Sequence, residues 1–126
     1  MAYEYSVAAL TAAHEAFLDV LDAETGNATI AVRSDAHVLL GVITLNDPAG
    51  SVNPATGQLT LTMLSREESA AATGDIGYIQ VRDAEDAVHL TIPAVYGRDP
   101  VPGYAVFNTL FVDEGKPIEI DSITIG

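Results

Sequence analysis

Asp75-Ile76-Gly77-Tyr78-Ile79-Gln80-Val81-Arg82 and Ala87-Val88-His89-Leu90-Thr91-Ile92-Pro93 stand on either side of Asp83-Ala84-Glu85-Asp86. Ile79 and Val81 alternate with Gln80 and Arg82, and Leu90 and Ile92 alternate with His89 and Thr91. A period of two puts the apolar set on one face of an extended chain. Two such runs joined by a short polar segment read as a β-hairpin with an acidic turn.

The same period recurs outward from this hairpin. Upstream, Gln58-Leu59-Thr60-Leu61-Thr62-Met63 alternates cleanly and predicts a half-buried antiparallel strand. Ile30 and Val32 alternate within Ala28–Arg33. Val38–Leu45 is apolar at nearly every residue, which predicts a strand covered on both faces, the outer one by a helix or a second subunit. Asn46-Asp47-Pro48-Ala49-Gly50 and Asn53-Pro54-Ala55-Thr56-Gly57 are dense in turn formers and predict surface connections. Ser65–Thr73 reads as a loop or a single helical turn.

Downstream, Ala94–Gly103 holds two prolines and two glycines, too many chain breakers for regular structure, and leads into an apolar strand over Tyr104–Val112. Ile118, Ile120, Ile123 and Ile125 close the chain. The slip of period between Ile120 and Ile123 predicts a β-bulge near Asp121-Ser122.

Only residues 7–24 carry a helical period, with Leu10, His14, Phe17, Leu18 and Leu21 able to share one face and Glu15, Asp19, Asp22 and Glu24 opposite. Thr11 is the predicted N-cap, and Gly26-Asn27 the terminator. The expectation is one mostly-β domain over 1–126. It is an antiparallel sandwich or barrel-like fold of about seven strands over 28–125, opened by one N-terminal α-helix.

Composition narrows function mainly by exclusion. Eighteen acidic against five basic residues give a formal charge of −13, which repels phosphate backbones and anionic headgroups and argues against nucleic-acid or membrane partners. The absence of cysteine excludes disulfides, thiolate zinc sites and cysteine nucleophiles. The opening Met1-Ala2-Tyr3-Glu4-Tyr5 lacks a basic region before an apolar one, which argues against a secretory signal and for synthesis in a cytoplasm. No apolar run approaches the roughly 18 residues needed to span a bilayer.

No phosphate-cradling glycine loop, nucleophile elbow or metal-binding helix motif occurs. His14, His37 and His89 fall in different elements, so their spacing offers no shared metal site. Asp83, Glu85 and Asp86 supply hard oxygens, yet the loop lacks the length and glycine of a calcium-binding hand and reads as a solvated turn. The sequence thus assigns no catalytic residue, metal or cofactor and points away from an enzyme. Among the aromatics, Tyr78, Tyr104, Phe107 and Phe111 are expected in the core. Tyr96 is the exception, because its Pro/Gly-rich surroundings make a ring hard to bury. The predicted partner contacts are Tyr96, Arg98, Pro100 and Pro102 in one loop and Val52 and Pro54 in another.

The order of pieces carries a resemblance. Gly26–Ile30, Leu39–Leu45, Pro48–Gly50, Thr56–Leu61, Ala72–Tyr78, Val81–Ala84 and Gly115–Ile125 together resemble a family of small phage and prophage virion proteins, most like tailed-phage capsid decoration (cement, or minor capsid) proteins. The turn Asp83–Asp86 departs from that pattern, where a turn ending in glycine is expected. The resemblance implies a homodimer or homotrimer on the capsid exterior, bound to the major capsid protein. The Val38–Leu45 strand or an open sheet edge is the expected self-association surface. A tail or tail-tip structural or receptor-binding module is the alternative. A carbohydrate-binding domain fits less well, since the chain has no tryptophan for a flat aromatic row.

Overall fold

The structure is a computed structural model and describes residues 6–23, 26–101, 103–120 and 122–125. Helix α1 (Val7–Leu21) precedes strands β1 (Thr29–Ser34), β2 (Leu39–Val52), β3 (Leu59–Ser65), β4 (Gly74–Arg82), β5 (Val88–Tyr96), β6 (Tyr104–Phe107), β7 (Phe111–Val112) and β8 (Ser122–Ile125). The sheet order is β1-β2-β3-β8-β6-β5-β4, and β1 also pairs with β4, so seven strands close into a barrel while β7 adds to β4 outside the ring. The mostly-β expectation therefore holds in its barrel form, and all pairings are antiparallel except β5 with β6.

Closure follows from the side-chain period. Ile43, Ile30, Val81 and Leu90 are consecutive ladder partners around the wall, as are Gly41, Val32, Ile79 and Ile92. Ladder partners share a face, so these rows stack inside the barrel. Ile30, Val32, Ile43, Ile79 and Val81 are fully buried there together with Phe107 and Ile123.

Three sequence expectations are corrected. Asn46–Gly50 is no surface turn. β2 runs through it, and its ladder with β3 jumps from Leu45–Met63 to Gly50–Leu61, so four residues of β2 oppose one of β3. The chain breakers there make a wide bulge. Gly50 is required at its close: a Cβ would meet the Thr60 carbonyl oxygen and lie 3.0 Å from the Leu61 Cα.

Tyr104–Val112 is not one strand but two, interrupted at residues 108–110, with β6 in the barrel and β7 paired to the start of β4. The third correction is the helix cap. Ser6, not Thr11, caps α1, its Oγ accepting the Ala9 N–H at 3.1 Å, and the helix ends at Leu21 instead of residue 24.

The bulge expected near Asp121-Ser122 falls partly outside the described residues. The pairing of β3 with the last segment nevertheless contains a slip. Thr60 faces Thr124 and Glu67 faces Ile118, so the β3 side carries one residue more between the two contacts.

The free edge of the first half of β2 is lined by the segment after β3. Ala71 N–H donates to the Leu40 carbonyl at 2.7 Å. Val42 N–H donates to Oε2 of Glu67 at 2.9 Å. A carboxylate here replaces a missing ladder partner. Leu40, Gly41, Ile43 and Leu45 are buried, and Leu39, Val42 and Thr44 are half-buried.

Helix α1 lies along the second half of β2 at one barrel end. Leu21 is fully buried and Phe17 and Leu18 pack on the core. His14 Nδ1 lies 2.6 Å from the Gly57 carbonyl oxygen, and Asp22 accepts the Ala49 N–H at 3.1 Å. Gly26 takes a left-handed φ of 110°, but Asp22 already caps the helix, so the predicted terminator Gly26-Asn27 lies beyond the helix end.

Candidate partner-contact site

Parallel pairing of β5 with β6 forces the chain to travel back along the barrel between them. Ala94, Val95 and Tyr96 face Ala105, Val106 and Phe107, so residues 97–103 form a crossover on the outside. Such connections usually take a dozen residues or more. This one is short because β6 has four residues, a run of about 13 Å, well within the reach of the intervening segment.

The crossover is tied at both ends. Gly97 N–H donates to the Phe107 carbonyl at 2.9 Å, Gly103 N–H to the Thr124 carbonyl at 2.7 Å, and Tyr104 N–H to the Val101 carbonyl at 3.1 Å. Val106 points away from the barrel interior, between the inward Ala105 and Phe107, yet is fully buried. The crossover that starts at Gly97 covers it. The Pro/Gly-rich segment is thus a ridge whose backbone is tied to the barrel at both ends.

Tyr96, at its start, is 69% exposed. Arg98, Pro100 and Val101 are also exposed, whereas Pro102 lies outside the described residues. Val52 is half-buried at the end of β2, and Pro54 is exposed in the β2–β3 turn. The ladder Ser51–Thr60–Thr124–Tyr104 places that turn and the far end of the crossover at the same end of the barrel. The structure therefore joins Pro54, Val101 and Tyr104 at one end, beside α1. Tyr96 and Arg98 sit at the other end of the crossover.

The expectation that most aromatics are core is corrected: of the five weighed, only Phe107 is buried. Tyr104 is 40% and Phe111 53% exposed. Tyr78 is half-buried on the wall, its hydroxyl 2.8 Å from His37 Nδ1. Phe111 was missed because it belongs to a two-residue strand outside the ring, where alternation gives no signal.

Of the basic residues, Arg66 pairs with Glu68 and Glu119, and Arg82 with Asp86. Arg33 is held by Gln80 and by the His37 carbonyl. Among the described residues Arg98 has no carboxylate within ion-pair distance. On a chain of net charge −13, an uncommitted guanidinium next to an exposed tyrosine is a distinct recognition feature, since Tyr and Arg dominate binding hot spots.

The acidic turn is closed on itself. Asp83 Oδ1 accepts the Glu85 and Ala87 N–H groups at 2.9 and 3.1 Å, and Oδ2 lies 2.8 Å from His89 Nε2. The His89 hydrogen bond, followed by the Ala87 N–H, holds the Asp83 carboxyl below the usual carboxylate value. Among the described residues no group of three or more His, Asp or Glu is placed to hold a metal ion.

A groove of about 400 Å³ opens where β3 parts from the segment after Ile118, between Leu61, Met63, Leu64 and Arg66 on one side and Glu119 and Ile120 on the other. No described helix is long and apolar enough to cross a membrane. Comparison with protein-family models, with curated proteins and with solved structures finds no match to this chain.

Proposed function

We propose that the chain is a virion structural protein that binds the outside of a tailed-phage capsid and cements contacts between major capsid subunits. The observation that carries this reading is the fixed crossover ridge, with exposed Tyr96 beside the unpaired Arg98. A ring and a guanidinium carried on a backbone segment tied to the barrel suit docking, since little backbone entropy is lost on contact. The resemblance of residues 26–126 to small virion proteins supports the same role. A net charge of −13 favours a site away from packaged DNA. Many identical copies, each with a modest interface, strengthen a shell through multivalency. The major capsid protein and further copies of the chain are the partners in this reading, and it involves no catalysis and no cofactor.

Co-sedimentation of the purified protein with separated heads and tails tests it. Saturable binding to heads, lost in Tyr96→Ala and Arg98→Ala, is the expected result. Binding to tails alone would move the chain to a tail or tail-tip structural or receptor-binding role, and binding to neither discards both.

A further inference from the structure

We propose that the cleft between α1 and the barrel mouth is a binding site for a small, uncharged, single-ring molecule that donates a hydrogen bond, of the phenol class. The cleft measures about 230 Å³ and is walled by Phe17, Leu59, Leu90 and Ile125, with His14 and His89 as its polar groups. An apolar cavity of about 150 Å³ already accepts benzene, so one ring with a substituent fits.

The two imidazoles define what the ligand must bring. A neutral imidazole has one N–H and one lone pair. His14 Nδ1 faces the Gly57 carbonyl oxygen at 2.6 Å, and a carbonyl only accepts, so Nδ1 carries the hydrogen and Nε2 the lone pair. His89 Nε2 faces Asp83 Oδ2 at 2.8 Å, and an ionised carboxylate only accepts, so in the neutral ring Nδ1 carries the lone pair. The second nitrogen of each ring has no partner among the described residues. Both rings border the cleft, and in these tautomers the nitrogen that each has left over is an acceptor and not a donor.

Apolar walls disfavour a charged ligand, and acceptor nitrogens on an acidic chain reject an anion. A hydroxyl on an apolar ring satisfies both conditions. Barrel mouths commonly hold such sites, and this site stands independently of the capsid reading.

The test titrates phenol, and separately toluene, into the full chain at about pH 8, where imidazole is ordinarily neutral. Binding is followed by the ring-nitrogen resonances of the three histidines. Phenol should shift His14 and His89 saturably in the millimolar range, leave His37 unmoved, and bind about fivefold more tightly than toluene, the margin of one hydrogen bond. Leu90→Trp, which fills the cleft, should abolish the shifts, with a native circular dichroism spectrum confirming the fold. No saturable shift, equal binding of toluene, or a shift confined to His37 overturns the proposal.

Discussion

Glu67 shows how much one side chain can carry in a wall assembled from irregular pieces. Its backbone exchanges two hydrogen bonds with Ile118, at 3.0 and 2.8 Å. Its carboxylate accepts the N–H groups of Val42 and Ser69 at 2.9 and 3.2 Å. Removing the carboxylate leaves the part-buried Val42 amide without a partner, at a cost of about 1–3 kcal/mol. Glu67→Ala should therefore lower the stability measured by chemical denaturation by that amount, whereas Glu67→Gln, which keeps an acceptor, should lose less. This role is not legible in the sequence, because a glutamate in a polar run looks solvated.

Two aspartates respond to pH with opposite sign. Hydrogen bonding lowers the Asp83 carboxyl below 3.8, so its contribution is complete above that value and is lost as pH falls through the native-state value. Burial, with Asp47 and Asp19 nearby, raises the Asp22 carboxyl above 3.8 against the lowering effect of the Ala49 hydrogen bond. Its ionisation therefore opposes folding, and stability declines as pH rises from 3.8 through the raised value. Melting curves from pH 2 to 7 should show Asp83→Asn losing most stability at neutral pH and converging on the parent in acid. Asp22→Asn should gain stability at neutral pH only, since an amide oxygen still accepts from Ala49.

At the level of elements, alternation was legible wherever a strand has one wet and one dry face. β3, β4 and β5 follow from that signal, with β3 running on to Ser65 and β5 to Tyr96. The signal failed where tertiary context supplies the cover. Val106 is buried on its outer side by the crossover, so β6 reads as uniformly apolar and merges with β7. Asp47, Pro48 and Gly50 read as a turn because the chemistry of a wide bulge is also turn chemistry. The partner-contact ridge was located by its chain breakers, yet its rigidity was not legible, since it depends on hydrogen bonds to Phe107 and Thr124, distant in pairing if not in space.

Helix α1 illustrates an element held almost entirely by docking. At 15 residues it is marginal in isolation, and its attachment rests on Leu21, on Phe17 and Leu18, and on the bonds to Gly57 and Ala49. Leu21→Ala should cost about 2–5 kcal/mol. Because α1 lies against one end of an otherwise closed ring, the variant should lose helical signal by circular dichroism at lower denaturant than strand signal. Simultaneous loss of both would show instead that the barrel depends on its helix.

For the whole molecule, ring closure sets where stability resides. β1 is hydrogen-bonded on both sides over most of its length, to β2 through Thr29–Arg33 and to β4 through Thr29–Ser34. β3 and β8 share only Leu59–Ile125 and Thr60–Thr124 before parting, and the next contact is Glu67–Ile118. The barrel is therefore continuous across β2-β1-β4-β5 and has its weakest seam between β3 and the final segment, where the 400 Å³ groove opens. Local opening draws on the region with fewest buried contacts and most solvent-accessible backbone. Native-state hydrogen exchange should thus show protection approaching global unfolding for Ile30–Val32 and Ile79–Val81, and early exchange for Thr62 and Leu64. Equal protection on both sides of the ring would mean that the seam closes in solution. If capsid subunits bind across the seam, the amides of Thr62 and Leu64 should slow on bound heads while those of β1 remain unchanged, which separates cementing at this groove from docking through the Tyr96 ridge alone.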